Sequence, residues 1–300
     1  MSRLSIRAAC AAALLGSVPA HAAATRVNET VATKNLPVSV KVAVMTPPSY
    51  EKEPARRFPV LYFLHDGQGD EGVLWREKVA DFLFEAMRAG DLPELILVAP
   101  RGSGSWFVDS YDGTVRYAAF LSDELVPFIE SRYRTRPERA SRAAAGISMG
   151  GYGALRWGLA RPDLFTVVAG LSPAVQQLDF TGVTMLPFFI RPMLTRVFGS
   201  SERANNLRAN DLYDILLSDP GLGARAPEML VRCGTEDKYR IAEIATFFSQ
   251  FLDAMGVKNT LTVESGVHDW PYWRRVLPAF TRDIAARLAP EARASSGVAP

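Results

Sequence analysis

The stretch Gly146-Ile147-Ser148-Met149-Gly150 constrains this chain more than any other part of the sequence. It has the G-x-S-x-G pattern, follows the apolar run 143–145 and precedes residues 152–159, which are compatible with a helix. The five residues alone would also fit a glycine-rich turn with a solvated serine. A strand, a sharp turn and a helix in this order instead hold the serine in a strained conformation with its hydroxyl clear of the sheet. The flanking runs therefore favour Ser148 as a nucleophile.

Apolar runs and helix-like stretches alternate along most of the chain. Residues 58–64 and 95–100 are continuously apolar and rich in β-formers, which is typical of strands buried on both faces of a parallel sheet. Apolar residues recur at helical spacing in residues 75–88, 117–133, 152–159, 241–255 and 270–288. This alternation predicts an α/β chain with a mainly parallel central sheet flanked by helices.

Residues 174–226 break the alternation. Their apolar patch, residues 185–190, is interrupted by proline at position 187 and followed by proline at position 192. We expect a helical, lid-like insertion here, with ordinary peripheral helices as the alternative. No linker or repeat divides the rest of the chain, so residues 25–290 predict a single domain. Residues 291–300, rich in alanine, serine and proline, predict a disordered tail.

The first 24 residues have the organisation of a secretory signal peptide. A short basic start is followed by the apolar stretch 8–18 and by small residues that fit cleavage after Ala22 or Ala24. The apolar stretch is too short to span a bilayer. The sequence therefore predicts a secreted or periplasmic protein with no integral membrane segment after cleavage. The mature chain would keep one cysteine, Cys233, and so no intramolecular disulfide.

Composition and charge exclude several classes of partner. The chain is 48% apolar and 22% charged, as expected of a protein that buries a large core, and its net charge is only +2. It has no basic block of the kind that binds nucleic acid. Neither histidine of the mature chain lies in a metal-ligand motif. We expect no metal and no organic cofactor.

A serine nucleophile needs a base, and the base needs an orienting acid. The order of Ser148, Asp237 and His268 along the chain is that of α/β-hydrolase triads. Asp237 follows the strand-like residues 228–233, and His268 follows a predicted last strand. We expect Ser148 to be the nucleophile, His268 the general base and then acid, and Asp237 the residue that holds the imidazole tautomer.

Two other carboxylates compete with Asp237 for this role. Glu236 precedes it directly, and Asp269 adjoins the histidine. Neighbouring side chains rarely align for the hydrogen bond that a triad needs, which disfavours Asp269. The position of Asp237 within the Gly-Thr-Glu-Asp stretch favours it over Glu236.

Catalysis at Ser148 also needs two backbone N–H groups that stabilise an oxyanion. One is expected from Met149, the residue after the nucleophile. The other is expected from the loop after the strand 61–64, at Gly67 or Gln68. His65 begins this loop, and we expect it to brace the loop rather than to act as the base.

These motifs together resemble the esterase D-like family of α/β-hydrolases. The resemblance covers roughly residues 38–285. It rests on residues 61–70, 105–110, 146–155, 234–238 and 266–270. That family includes S-formylglutathione hydrolases, feruloyl and acetylxylan esterases, enterochelin esterases and secreted mycolyltransferases. The resemblance implies an α/β-hydrolase fold, and it favours Gln68 as the second oxyanion donor. Asp66 departs from the commoner pattern, in which glycine follows the histidine directly, so Gly67 remains the alternative donor.

The sequence therefore predicts an exported serine carboxylester hydrolase with an acyl-enzyme intermediate. The substrate would be a small-molecule, carbohydrate or lipid ester. Trp106, Phe107 and Trp270 lie in predicted site loops and are expected to contact it. An acyltransferase of the mycolyltransferase type would use the same triad. A catalytically silent binding module is the third reading, and an intact set of Ser148, Asp237 and His268 disfavours it. Acyl and alcohol specificity and the oligomeric state do not follow from the sequence.

Overall fold

The fold is centred on one eight-stranded sheet. In the computed structural model, residues 24–175, 191–199 and 204–288 are described. The strands are β1 (Val27–Val31), β2 (Val40–Met45), β3 (Val60–Leu64), β4 (Ile96–Pro100), β5 (Arg142–Ile147), β6 (Val167–Leu171), β7 (Glu228–Gly234) and β8 (Asn259–Glu264). Their order in the sheet is β1-β2-β4-β3-β5-β6-β7-β8. The first two strands are antiparallel to their neighbours, and the other strands run parallel. The prediction of a mainly parallel sheet is confirmed.

The central strands are buried along their whole length. Every residue of β3, β4, β5 and β6 is buried, because helices cover both faces of the sheet. One core cluster lies on each face of the sheet. The parallel strands end at one edge, and the loops that follow β3, β5, β7 and β8 therefore gather there.

The helices lie between successive strands and in the region after β6. They are α1 (Val73–Arg76), α2 (Val79–Ala89), α3 (Tyr117–Ala119), α4 (Val126–Arg132), α5 (Met149–Ala160), α6 (Arg191–Phe198), α7 (Ala204–Asn210), α8 (Leu212–Ser218), α9 (Leu222–Arg225), α10 (Ile241–Ala254) and α11 (Trp270–Ala285). A π-helical segment, Phe120–Leu125, joins α3 to α4. No helix in the described ranges is long and apolar enough to cross a membrane.

Two predicted helices differ from the observed ones. The helix expected over residues 75–88 is divided between α1 and α2, because Lys78 has the left-handed conformation (φ 61°). The helix expected over residues 117–133 contains the π-helical segment directly before α4. Pro127 lies in the first turn of α4, where its missing N–H breaks the regular hydrogen-bond ladder least. Spacing alone predicted neither interruption.

The predicted insertion 174–226 is helical in the part that the structure describes. Leu194 and Phe198 of α6, and Leu212 and Leu216 of α8, are buried in the larger core cluster. These helices therefore belong to the packed domain. Residues 176–190 and 200–203, and with them the patch 185–190, lie outside the described residues, so the lid remains a prediction. Residues 1–23 and the tail 291–300 also lie outside them.

Candidate active site

The backbone at Ser148 forms the sharp turn that the sequence predicts. Ser148 has φ 53° and ψ −113°, between the end of β5 and the start of α5. A Cβ at Gly146 would lie 2.3 Å from the Gly150 carbonyl, and one at Gly150 would lie 2.1 Å from the Leu64 carbonyl oxygen. No side chain fits at either position. The strained turn leaves Ser148 only half-buried at the edge of the sheet.

Three side chains from separate loops form a continuous hydrogen-bonded chain. Ser148 Oγ lies 2.9 Å from His268 Nε2, and His268 Nδ1 lies 2.6 Å from Asp237 Oδ2. A carboxylate only accepts hydrogen bonds, so Nδ1 carries the proton and Nε2 is left to accept from the Ser148 hydroxyl. The Asp237 side chain is fully buried, and the His268 side chain is 10% exposed. The structure thus brings together the three residues that chain order had selected.

The acid of this chain is itself held in place. Asp237 Oδ1 accepts the Tyr239 N–H at 2.9 Å, which leaves Oδ2 directed at the imidazole. Glu236 turns away and accepts the Gly266 N–H at 2.6 Å, so it fixes the loop that precedes His268. This N–H is the main cause that lowers the pKa of Glu236. Asp269 accepts the Tyr272 N–H as the N-cap of α11. Neither rival carboxylate bonds to the imidazole.

Two aromatic rings enclose the imidazole. The Tyr239 and Trp273 rings lie 4.9 and 5.0 Å from the His268 ring, each nearly perpendicular to it. Trp273 Nε1 in turn donates to Ser172 Oγ at 3.2 Å. Ser172 is buried, with φ 46°, after β6. Sequence analysis did not assign these three residues to the site. Their only sequence signal is that Tyr239 follows Asp237 by two positions and Trp273 follows His268 by five.

His65 is fixed by backbone groups of two loops. Its Nε2 accepts the Gly102 N–H at 2.7 Å, so the proton lies on Nδ1, which donates to the Asp66 carbonyl at 2.6 Å. The residue is 2% exposed. Burial lowers the pKa of His65 and thereby favours the neutral ring that this arrangement requires. His65 joins the loop after β3 to the loop after β4, and this confirms its predicted bracing position.

The backbone N–H groups that are expected to stabilise the oxyanion differ in the hydrogen bonds that they form in the structure. Met149 begins α5, where the first N–H groups have no acceptor within the helix. The Gln68 N–H donates to Asp66 Oδ1 at 2.9 Å in a local turn. The Gly67 N–H forms no hydrogen bond with the described part of the chain. Both Gly67 and Gln68 remain predicted oxyanion donors. To act as one, the Gln68 N–H would have to divide its hydrogen bond between Asp66 Oδ1 and the oxyanion, or leave Asp66.

The predicted substrate contacts of Trp106 and Phe107 need correction. Phe107 is 1% exposed, and its ring lies 5.3 Å from the His65 ring and 5.5 Å from the Tyr117 ring. Trp106 is 7% exposed and packs against Tyr152. Both residues have left-handed backbone conformations (φ 56° and 60°) that accompany this inward packing. Both are core residues, and neither presents a ring face for stacking on a substrate.

Trp270 keeps its predicted place near the site. It is half-buried in the first turn of α11, with its ring 5.4 Å from the Trp273 ring. Its contact with a substrate remains a prediction. Among the described residues no group of three or more histidine, cysteine, aspartate or glutamate side chains could hold a metal ion.

Comparison with known proteins shows the family to which this chain is similar. The family model described as "Putative esterase" matches residues 33–284. An esterase from Mycobacterium tuberculosis is 33% identical over 143 residues, which are 46% of this chain and 30% of that protein. The chain thus spans about a third of the length of this curated relative. An acetyl esterase from Caldicellulosiruptor saccharolyticus is 27% identical over 183 residues, covering 59% of this chain and 67% of the relative.

A solved ferulic acid esterase has the same fold. It superposes with a TM-score of 0.75 at 25% identity, covering 89% of this chain and 99% of the other. This similarity and the sheet order confirm the predicted α/β-hydrolase fold.

Proposed function

Because the chain belongs to the Putative esterase family, we propose that it is an exported serine hydrolase of carboxylic esters. The observation that carries this proposal is the continuous contact from Ser148 Oγ through His268 to the buried Asp237 carboxylate. A serine hydroxyl alone is a weak nucleophile at neutral pH. A hydrogen bond to a neutral imidazole nitrogen, with a carboxylate behind the ring, supplies the activation that it needs.

The reaction proceeds in two halves. Ser148 Oγ attacks the ester carbonyl carbon while His268 Nε2 takes the hydroxyl proton. The negative oxygen of the tetrahedral intermediate accepts hydrogen bonds from Met149 N–H and from Gly67 or Gln68. The C–O bond to the alcohol breaks, and His268 returns the proton to the departing oxygen. Water then repeats the attack on the acyl-serine, releases the acid and restores the Ser148 hydroxyl.

Asp237 stabilises the charged ring in both halves. Its Oδ2 faces Nδ1, so the imidazolium that forms during each attack lies against a buried negative charge. Tyr239 and Trp273 limit rotation of the ring, because each packs against it. The acyl group and alcohol are proposed only as a class, and the names acetyl esterase and ferulic acid esterase of similar proteins guide which substrates to test.

The direct test is hydrolysis of p-nitrophenyl esters with acyl chains from two to twelve carbons, with methyl ferulate beside them. We expect turnover by the wild-type chain and its loss, by about 10⁴-fold or more, in Ser148→Ala with an unchanged circular dichroism spectrum. Labelling of Ser148 by a fluorophosphonate is the control for a reactive serine. Full activity in Ser148→Ala would refute the proposal. Labelling without hydrolysis, followed by acyl transfer to an added alcohol, would replace the hydrolase with an acyltransferase.

Export is tested separately at the amino terminus. Ala24 is buried, and its N–H donates to Asp81 Oδ1 at 3.1 Å. Cleavage after Ala22 would keep this contact, whereas cleavage after Ala24 would remove it. We therefore expect the exported protein to begin at Ala23, which amino-terminal sequencing of secreted or periplasmic material would determine. An intact Met1 in that material would refute the signal peptide.

A further inference from the structure

A cleft opens at the same edge of the sheet as Ser148. Its volume is about 810 Å³, within the size range of small-molecule sites. It lies beside the start of β2 and the end of β4, which adjoin because Val42 pairs with Pro100. In the sheet β4 is two strands away from β5, a distance of roughly 10 Å. Of the described residues that line the cleft, none belongs to the set Ser148, Asp237 and His268.

The charged residues in the described part of the cleft lining are all positive. Lys41, Arg101 and Arg196 line it, and no aspartate or glutamate is among the described lining residues. Arg101 forms an ion pair with Glu71, and its Nε lies 2.6 Å from Oε2 of that carboxylate. Lys41 and Arg196 are exposed and form no ion pair with any described residue. Two unneutralised cations at one cleft favour an anionic ligand.

The remaining walls are largely aliphatic. They include Leu36, Val38, Val40, Val108, Val115 and Val197. Val38 is 72% exposed, so its side chain is open to a ligand that enters the cleft. Tyr117 is the one aromatic side chain among the described residues that line the cleft. It is buried, and its hydroxyl donates to the Arg101 carbonyl at 2.7 Å. The aliphatic walls among the described residues therefore suit a hydrocarbon chain.

We propose that this cleft binds an aliphatic carboxylate, with the chain along the valines and the carboxylate between Lys41 and Arg196. The anionic head and aliphatic tail follow from the lining residues. The choice of carboxylate over another anion rests on the proposed function, because ester hydrolysis releases carboxylates. The site would be distinct from the acyl position at Ser148.

The cleft is also connected to the catalytic edge. Gly102 lines it, and the Gly102 N–H donates to His65 Nε2. His65 is followed directly by the loop that holds Gly67 and Gln68. Ser103 and Gly104, which also line the cleft, have left-handed conformations (φ 47° and 72°). A ligand in the cleft would thus touch the loop to which His65 ties the expected oxyanion donors.

The test is titration calorimetry of decanoate, below its micellar concentration, into the mature wild-type protein and Ser148→Ala. We expect both to bind equally, since the cleft does not use Ser148, so a failure of the proposed esterase activity would leave this result intact. In Lys41→Ala/Arg196→Ala we expect affinity to fall about tenfold or more, because two charge-assisted contacts are lost. The matched control is Lys34→Ala/Arg282→Ala, which removes two exposed cations outside the cleft and should bind as wild type.

A second variant tests the aliphatic wall. Val38→Glu changes a side chain that is already exposed, so the fold should persist, and the added negative charge should abolish decanoate binding. Equal affinity in wild type, the double variant and Val38→Glu would overturn the location. Equal binding of uncharged decyl glucoside would overturn the anionic requirement. Binding of decyl phosphate more than tenfold tighter than decanoate would overturn the choice of carboxylate.

Discussion

His65 and His268 lie at the same edge of one sheet and have opposite kinds of partner. Both nitrogens of His65 bond to backbone groups, the Gly102 N–H and the Asp66 carbonyl. Both nitrogens of His268 face side chains, the Ser148 hydroxyl and the Asp237 carboxylate. Backbone groups hold a ring in position but do not exchange protons with it. The partners of a histidine therefore distinguish a structural ring from one that can carry catalysis.

The first prediction removes the catalytic candidate of this pair. His268→Ala should lower kcat by roughly 10⁴- to 10⁶-fold, because Ser148 loses its base. The free energy of unfolding should fall by about 1–3 kcal/mol, because the buried Asp237 carboxylate loses its Nδ1–H donor. Steady-state kinetics and urea denaturation check the two parts. A variant that kept a tenth of the wild-type kcat would remove His268 from the mechanism.

The second prediction concerns the acid behind His268. Asp237→Asn should lower kcat by about 10⁴-fold, because an amide can donate to Nδ1 and thereby stabilise the wrong tautomer. Asp269→Asn is the matched control, since asparagine also caps helices and Asp269 does not contact the imidazole. The control should retain activity within a few fold. Equal losses in both variants would mean that the loop, rather than the carboxylate, is what matters.

The third prediction removes the structural histidine. His65→Ala would leave the buried Gly102 N–H without its acceptor and open a cavity beside Phe107. We expect a loss of about 2–4 kcal/mol in the free energy of unfolding. Urea denaturation at pH 8 would measure it. A loss below about 0.5 kcal/mol would contradict the bracing position.

The fourth prediction concerns the dependence of stability on pH. Burial lowers the pKa of His65 in the folded state, so the unfolded chain binds its proton first as the pH falls. The stability that neutral His65 contributes is complete above the unfolded pKa of about 6.5 and is lost as the pH falls from there toward the folded pKa. We expect the free energy of unfolding of wild type to fall between pH 8 and 5.5, which urea denaturation at each pH would measure. His65→Gln should lose less, and an identical loss in both would refute the assignment.

The sequence predicted the sheet and the hydrogen-bonded set of Ser148, His268 and Asp237, because both depend on the order of segments along the chain. Continuous apolar runs marked the strands β3 and β4, and parallel strands bring the loops that carry Ser148, Asp237 and His268 to one edge. Backbone conformation carried no comparable signal. The left-handed Lys78 that divides α1 from α2, and the left-handed Trp106 and Phe107 that pack inward, occur at residues that are ordinarily right-handed or extended.

The surroundings of His268 were harder to predict for a different reason. Trp273 reaches the imidazole and also Ser172, which lies 101 positions earlier in the chain. Such a contact depends on how α11 packs against the end of β6, and helical spacing in α11 identifies only a buried face. Which residues that face contacts is determined only when the whole domain packs. Local sequence patterns therefore located Ser148, Asp237 and His268 but did not show how the residues around the imidazole pack.

The 120 positions that separate Ser148 from His268 have a consequence for how the chain matures. No local segment contains both residues, and the strands between them must pair in parallel before the two side chains meet. Parallel pairing over long loops is a slow route to a folded state. Under the proposed mechanism, the newly made chain cannot cleave an ester until its last strands have paired. The time at which ester cleavage begins during refolding would therefore report when the last strands of the sheet pair.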